Sequence, residues 1–270
     1  MTRVPRRAAL AIAGALLLAA CAEQTARPPG GGGGGSGPAP AVALEAVDQS
    51  PREEVPSALD DIDDPGFPEA LVDTGRVLAG GPPPDGIPPI DAPTFQRASE
   101  VDWLAEEEAV LTFTAGDETR AYPVQVLIWH EIVNDTVDGT PVAVTYCPLC
   151  NSALAFDRRL GDRLFTFGTS GKVYNSDLVM YDRQTESLWA QIEGQAVAGF
   201  LTGAQLRRLP VATVSWAQWS QAHPDGWAWR DRPGPGVTTG ATPTWATTSP
   251  TATRSCSTAT PTRGSRPRSG

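Results

Sequence analysis

Apolar and polar positions divide the chain into stretches of different character. A continuous apolar run covers residues 8–20, a polar stretch rich in Pro and Gly follows, and dense patterning begins near Val101. Residues 110–114 (VLTFT) read as a strand that ends in the turn pair Gly116-Asp117. From Pro123 to Val133, apolar residues at 124, 127, 128 and 132 fall at helical spacing, with Pro123 at a first-turn position. Asp138-Gly139 marks another turn, and the β-branched strand 142–146 runs directly into Cys147. Residues 154–156 and 164–167 form short strands joined across Gly161-Asp162, and 178–181 with 187–191 form a second pair. Residues 167–177 read as a Gly-flanked loop, and 214–222 as a helix carrying Trp216 and Trp219. The expected fold is α+β, predominantly antiparallel β with a few short helices, in a single globular domain over residues 60–228. That length buries a sizeable core.

The flanks differ in kind. Arg3, Arg6 and Arg7 precede the apolar run, which is shorter than the roughly 20 residues needed to span a bilayer. With Leu18-Ala19-Ala20-Cys21 at its end, the segment reads as a lipoprotein signal peptide over residues 1–20. Cys21 is the expected lipidation site. The acyl chains would hold the protein to a membrane, each buried CH₂ adding about 0.8 kcal/mol. Residues 21–59 read as a lipid-anchored flexible linker, disordered around the Gly30–Gly35 run. Localisation to the cell envelope, outside the cytoplasm, follows from these features.

Residues 229–270 are dominated by Thr, Pro, Ser, Gly and Arg, and read as a disordered or out-of-frame tail. With suitable synonymous codons, residues 236–247 read two bases later give Arg-Asp-Tyr-Gly-Arg-Asn-Pro-Tyr-Val-Gly-Tyr, a plausible β-rich sequence. A frameshift between about residues 229 and 236 is therefore expected, and it would make Cys256 incidental.

Charge narrows the partners. The formal net charge is −10, and removing residues 1–20 takes away three Arg and no acid, giving −13. Lys172 is the one lysine in the sequence. Phosphate backbones need clustered Lys and Arg, so nucleic acid is not expected as a partner. The protein or small-molecule partner is left open by the sequence.

Candidate chemistry lies at Cys147-Pro148-Leu149-Cys150, with His130 17 residues upstream on an element joined to it by one tight turn. Three readings compete. Two thiolates and an imidazole suit a metal site for zinc or copper, with Glu131, Asp135 or an exogenous ligand completing it. A CxxC pair also supports thiol–disulfide exchange, and so an extracytoplasmic oxidoreductase. The third reading is a structural disulfide in a binding or scaffold domain. The sequence after Cys150 reads as strand, whereas a thioredoxin-type motif opens a helix. His223 reads as a helix-end residue. Gly168–Lys172 lacks the GxxxxGK[ST] spacing of a phosphate loop. Asp182, Arg183 and Gln191, set among aromatic residues, are candidates for a pocket or for a β-turn with an Asp–Arg pair.

Taken together, residues 130–135 (HEIVND), 145–150 (TYCPLC), 167–171 (FGTSG), 180–185 (MYDRQT) and 187–191 (SLWAQ) resemble the uncharacterised prokaryotic domain-of-unknown-function family 3179 over roughly residues 85–228. The resemblance implies that members are often exported or lipid-anchored. It carries over no catalytic residue, so whether the protein is an enzyme is left open. Members usually continue past the Trp216/Trp219 region with a segment rich in Tyr, Gly and Asp, from which this chain departs.

Overall fold

The structure is a computed structural model that describes residues 50–231. The signal peptide, Cys21, most of the linker, the tail beyond Asp231 and Cys256 lie outside the described residues. Along the chain, β1 (Val77–Ala79) and β2 (Phe95–Arg97) precede the hairpin β3 (Ala109–Ala115) and β4 (Glu118–Pro123). Helix α1 (Val124–His130) leads into the hairpin β5 (Ile132–Val137) and β6 (Thr140–Cys147), then β7 (Ser152–Asp157). A small hairpin follows, β8 (Arg159–Leu160) and β9 (Arg163–Leu164). Next come β10 (Phe167–Tyr174), β11 (Asp177–Asp182), β12 (Leu188–Ala190) and β13 (Gln195–Ala198). The described chain ends with β14 (Arg208–Leu209), β15 (Ala212–Ser215), α2 (Trp216–Ala222) and β16 (Trp227–Trp229).

Three larger sheets result, ordered β1-β10-β11-β12-β13, β14-β7-β6-β5 and β15-β3-β4-β16-β2. Pairing is antiparallel except for β16 beside β4. The fold is therefore the expected mostly antiparallel β architecture with two short helices.

Strand periodicity explains why the four-stranded sheet is the centre. On β6, Val142, Val144 and Tyr146 pack into one core with Leu111, Phe113 and Tyr122. The alternate residues Ala143 and Cys147 pack into a second core with Phe156, Phe167, Met180 and Trp189. A sheet buried on both faces needs apolar residues at nearly every position, and β6 has them. The outer face of the β10–β13 sheet is covered by the segment around Ala58, Leu59 and Phe67. Packing thus begins ahead of residue 60, because Ala58 is fully buried.

Several boundaries differ from expectation. The helix at 124 stops at His130, not Val133, because Glu131 turns to φ +58 and Ile132 pairs with Thr145. The Gly161-Asp162 turn exists, but it joins β8 to β9, while β7 pairs with β6 and β14. Residues 167–174 are strand, not loop, and residues 212–215 are strand before the helix begins at Trp216. There the Ser215 hydroxyl caps the helix by accepting from Gln218 N–H. Among the described residues, no helix is long and apolar enough to cross a membrane.

Candidate metal centre

Three hairpin turns converge where the central sheet meets the β10–β13 sheet. The β6–β7 turn contributes Cys147, buried at the end of β6, and Cys150, exposed near the tip. Asn151 at φ +52 tightens this turn, and its side chain accepts from the Tyr146 hydroxyl at 2.7 Å. Asn175 and Ser176, both at positive φ, turn β10 into β11 and deliver Asp177. The segment after β12 supplies Ile192, whose N–H donates to Asp177 Oδ2 at 2.9 Å.

The ligand atoms of Cys147, Cys150 and Asp177 all lie within 4.8 Å of one another. Both thiols are free in this structure. Cys150 Sγ lies 3.6 Å from Asp177 Oδ1 and 3.1 Å from the Ser152 hydroxyl. Ser152 in turn donates to Gln191 Oε1 at 2.8 Å, and Gln191 Nε2 donates to the Thr145 hydroxyl at 2.9 Å. Gln191 is fully buried, so this chain fixes the hairpin that carries both sulfurs.

Electrostatics at the corner run one way. Burial, with the neighbouring Cys150 thiol, pushes the Cys147 pKa up to about 12. Burial also raises Asp177, against the pull of the Ile192 and Cys150 hydrogen bonds. Glu131, only 4 % exposed, is pushed to about 8 by burial alone. Converging acids that resist ionisation are what a cation would relieve, since a bound metal deprotonates coordinating thiols. Two sulfurs and one carboxylate oxygen fit zinc, which takes Cys and Asp ligands at about 2.0–2.3 Å in tetrahedral geometry. The carboxylate argues against copper(I), which prefers soft donors.

The structure does not bring the expected His130 to the two sulfurs. His130 Nδ1 donates to the Pro88 carbonyl at 2.7 Å, and no His130 ring nitrogen joins the sulfur cluster. The tight turn after α1 swings the chain through Glu131 before β5 begins, so His130 stays with the segment at Pro88. Asp135 belongs to a separate buried network, accepting from Arg120 at 2.5 Å and from the Tyr122 hydroxyl at 2.6 Å. Asp182 organises its own turn, accepting from Thr185 N–H at 2.6 Å and Trp189 Nε1 at 2.9 Å. Arg183 binds Asp85 and Asp91, tying residues 85–91 down. Of the candidate pocket residues, Gln191 supports the sulfur hairpin and Glu131 lines the cavity beside Cys147. Asp177 was missed. Its one sequence signal is the Tyr-Asn-Ser-Asp turn, and nothing local links that turn to the cysteines.

Residues 84–241 match the profile of a family described as a protein of unknown function, DUF3179. The chain belongs to this family. The match spans all four residues of the corner, Glu131, Cys147, Cys150 and Asp177, and runs past the described residues into the segment of unexpected composition. No curated protein and no solved structure matches the chain. The DUF3179 domain is therefore read from its own geometry.

Proposed function

We propose that this protein is an exported, lipid-anchored DUF3179 protein of the cell envelope. Its domain binds a transition metal, zinc in preference to copper, through Cys147, Cys150 and Asp177. The observation that supports the reading is the convergence of two free thiols and a carboxylate within 4.8 Å. Three protein ligands leave a fourth tetrahedral position for water or substrate, the pattern of catalytic rather than structural zinc. A metal there would act as a Lewis acid on whatever occupies that position. The chain's own part is to hold the thiolates through the Ser152–Gln191–Thr145 hydrogen bonds and to hold Asp177 through Ile192. Acidic composition speaks against nucleic acid as a partner.

Thiol–disulfide exchange is a second reading, favoured by the free, adjacent thiols. It is the weaker one. A strand, β7, follows the β6–β7 turn, where a thioredoxin-type motif would open a helix.

Elemental analysis of the protein purified without chelator tests the proposal. About one zinc per chain, lost in Cys147→Ser and in Asp177→Asn, supports it. Metal-free protein with a readily reversible Cys147–Cys150 disulfide supports the exchange reading instead. The anchor is tested separately: Cys21→Ser should move the protein from the membrane fraction to the soluble fraction.

A further inference from the structure

The two sulfurs of the corner differ in setting. Cys147 ends β6, stands opposite Ser152 in the register with β7 and is 1 % exposed. Cys150 lies nearer the tip of the turn, where Leu149, Cys150 and Asn151 are all exposed. Neither thiol is paired, and the two sulfur atoms stand within 4.8 Å of each other. A disulfide needs about 2.05 Å, so a shift of at most about 3 Å at the exposed tip joins them.

The hairpin does not owe its place to either sulfur. Ser152 donates to Gln191, Gln191 donates to Thr145, and the Tyr146 hydroxyl donates to Asn151. None of these bonds runs through a thiol. The Ile192 N–H holds Asp177 in the same independent way. On its two faces β6 packs into two separate hydrophobic cores. Purely structural zinc sites differ, because their folds come apart without the metal. Here the sulfur pair has room to change state while the sheet that carries it stays folded. On the export reading, these thiols also face oxidants that a cytoplasm would remove. Oxidation follows exposure, so Cys150 is the sulfur an oxidant reaches first, and buried Cys147 is the one placed to resolve it.

We propose that, granted the metal reading above, the corner is a peroxide-operated switch in which joining Cys147 to Cys150 releases the metal. The oxidant is hydrogen peroxide. The Cys150 thiolate attacks one peroxide oxygen, the O–O bond breaks, and the other oxygen leaves and takes up a proton as water. Cys150 is then a sulfenic acid. The Cys147 thiolate attacks the Cys150 sulfur, the S–O bond breaks, and hydroxide leaves with a second proton as water. The two thiolates lose two electrons in all, and the peroxide gains them. Two of the three converging ligands are thereby lost, because the thiolate is the form of cysteine that holds a metal. Asp177 alone is left. Reduction of the disulfide restores the site.

Hydrogen peroxide titration of the zinc-loaded full mature chain tests the switch. Three quantities are followed together: zinc released to a chromogenic chelator, the state of each cysteine by mass mapping, and far-ultraviolet circular dichroism. The expected result is release of about one zinc per chain, a Cys147–Cys150 disulfide, an unchanged spectrum, and zinc taken up again after reduction. Two variants read the order of attack without needing a metal. Cys147→Ser should accumulate a sulfenic acid at Cys150 that dimedone traps, and Cys150→Ser should leave Cys147 untrapped under the same exposure. Zinc retained at peroxide levels that oxidise free cysteine overturns the proposal. So does release with both cysteines still reduced, oxidation beyond the sulfenic acid with no disulfide, loss of the folded spectrum on release, or trapping at Cys147 in place of Cys150. Reduced protein that binds no zinc sinks the metal reading and the switch with it. A zinc protein whose sulfurs never pair sinks the switch alone.

Discussion

Two groups of buried polar residues in this domain look alike in sequence and differ in physics. Around Asp135 and Asp182, each carboxylate is matched by donors: Arg120 and Tyr122 for the first, Thr185 and Trp189 for the second. Around Cys147, thiols and carboxyls converge with no ion pair to any of them among the described residues, and burial raises Cys147, Asp177 and Glu131. Burial raises Asp182 as well, but there four donors face the carboxylate. A satisfied cluster is complete within the fold. An unbalanced one costs stability, which on the reading proposed above a bound cation would offset. The comparison separates residues that hold the domain together from residues available for chemistry.

Asp135→Ala gives the sharpest contrast. It leaves Arg120, buried beside it, with its remaining ion pair to Glu118 only, and should cost on the order of 3–5 kcal/mol in urea unfolding. If it costs less than about 1 kcal/mol, the cluster is not structural.

Glu131→Gln should act in the opposite direction. The folded-state pKa of Glu131 is raised to about 8 from an ordinary carboxyl value of 4.5. The folded protein therefore binds a proton that the unfolded chain has released. Stability contributed by the un-ionised form is complete below about pH 4.5 and is lost as pH rises to about 8. The slope is about 1.4 kcal/mol per pH unit in that window. The Gln variant should lose this slope and be the more stable protein at pH 8. An unchanged pH profile would remove Glu131 from the unbalanced group.

Cys150→Ser should change the unfolding midpoint of the metal-free protein little, by less than about 1 kcal/mol, because the side chain is exposed. The same change should remove the metal. The smallest effect is expected from His130→Ala, which loses one hydrogen bond to Pro88 worth about 1 kcal/mol and leaves metal content intact. Loss of metal in that variant would restore His130 to the centre.

Sequence reading located the strands where periodicity was strong. Residues 110–114, 142–146 and 178–181 all fall inside strands of the structure. It misplaced residues 167–177, because Gly168, Gly171 and the polar positions hid a bulged strand paired on both sides. The cysteines were legible as a pair, since CxxC is a local pattern. Their partner was not. Asp177 and the cysteines lie on two separate hairpin turns in different sheets, and packing between sheets leaves no trace in local spacing. His130 was drawn in by nearness along the chain, yet the positive φ at Glu131 sends the two side chains to different places. Lipidation at Cys21 and the composition of the tail remain readings of the sequence alone.

Cobalt(II) substitution of the purified protein measures the central claim most directly. The account predicts sulfur-to-cobalt charge-transfer absorption from two thiolates, with tetrahedral ligand-field bands that Asp177→Asn alters and His130→Ala leaves unchanged. A spectrum without thiolate charge transfer, or one that responds to His130→Ala and not to Asp177→Asn, would contradict it.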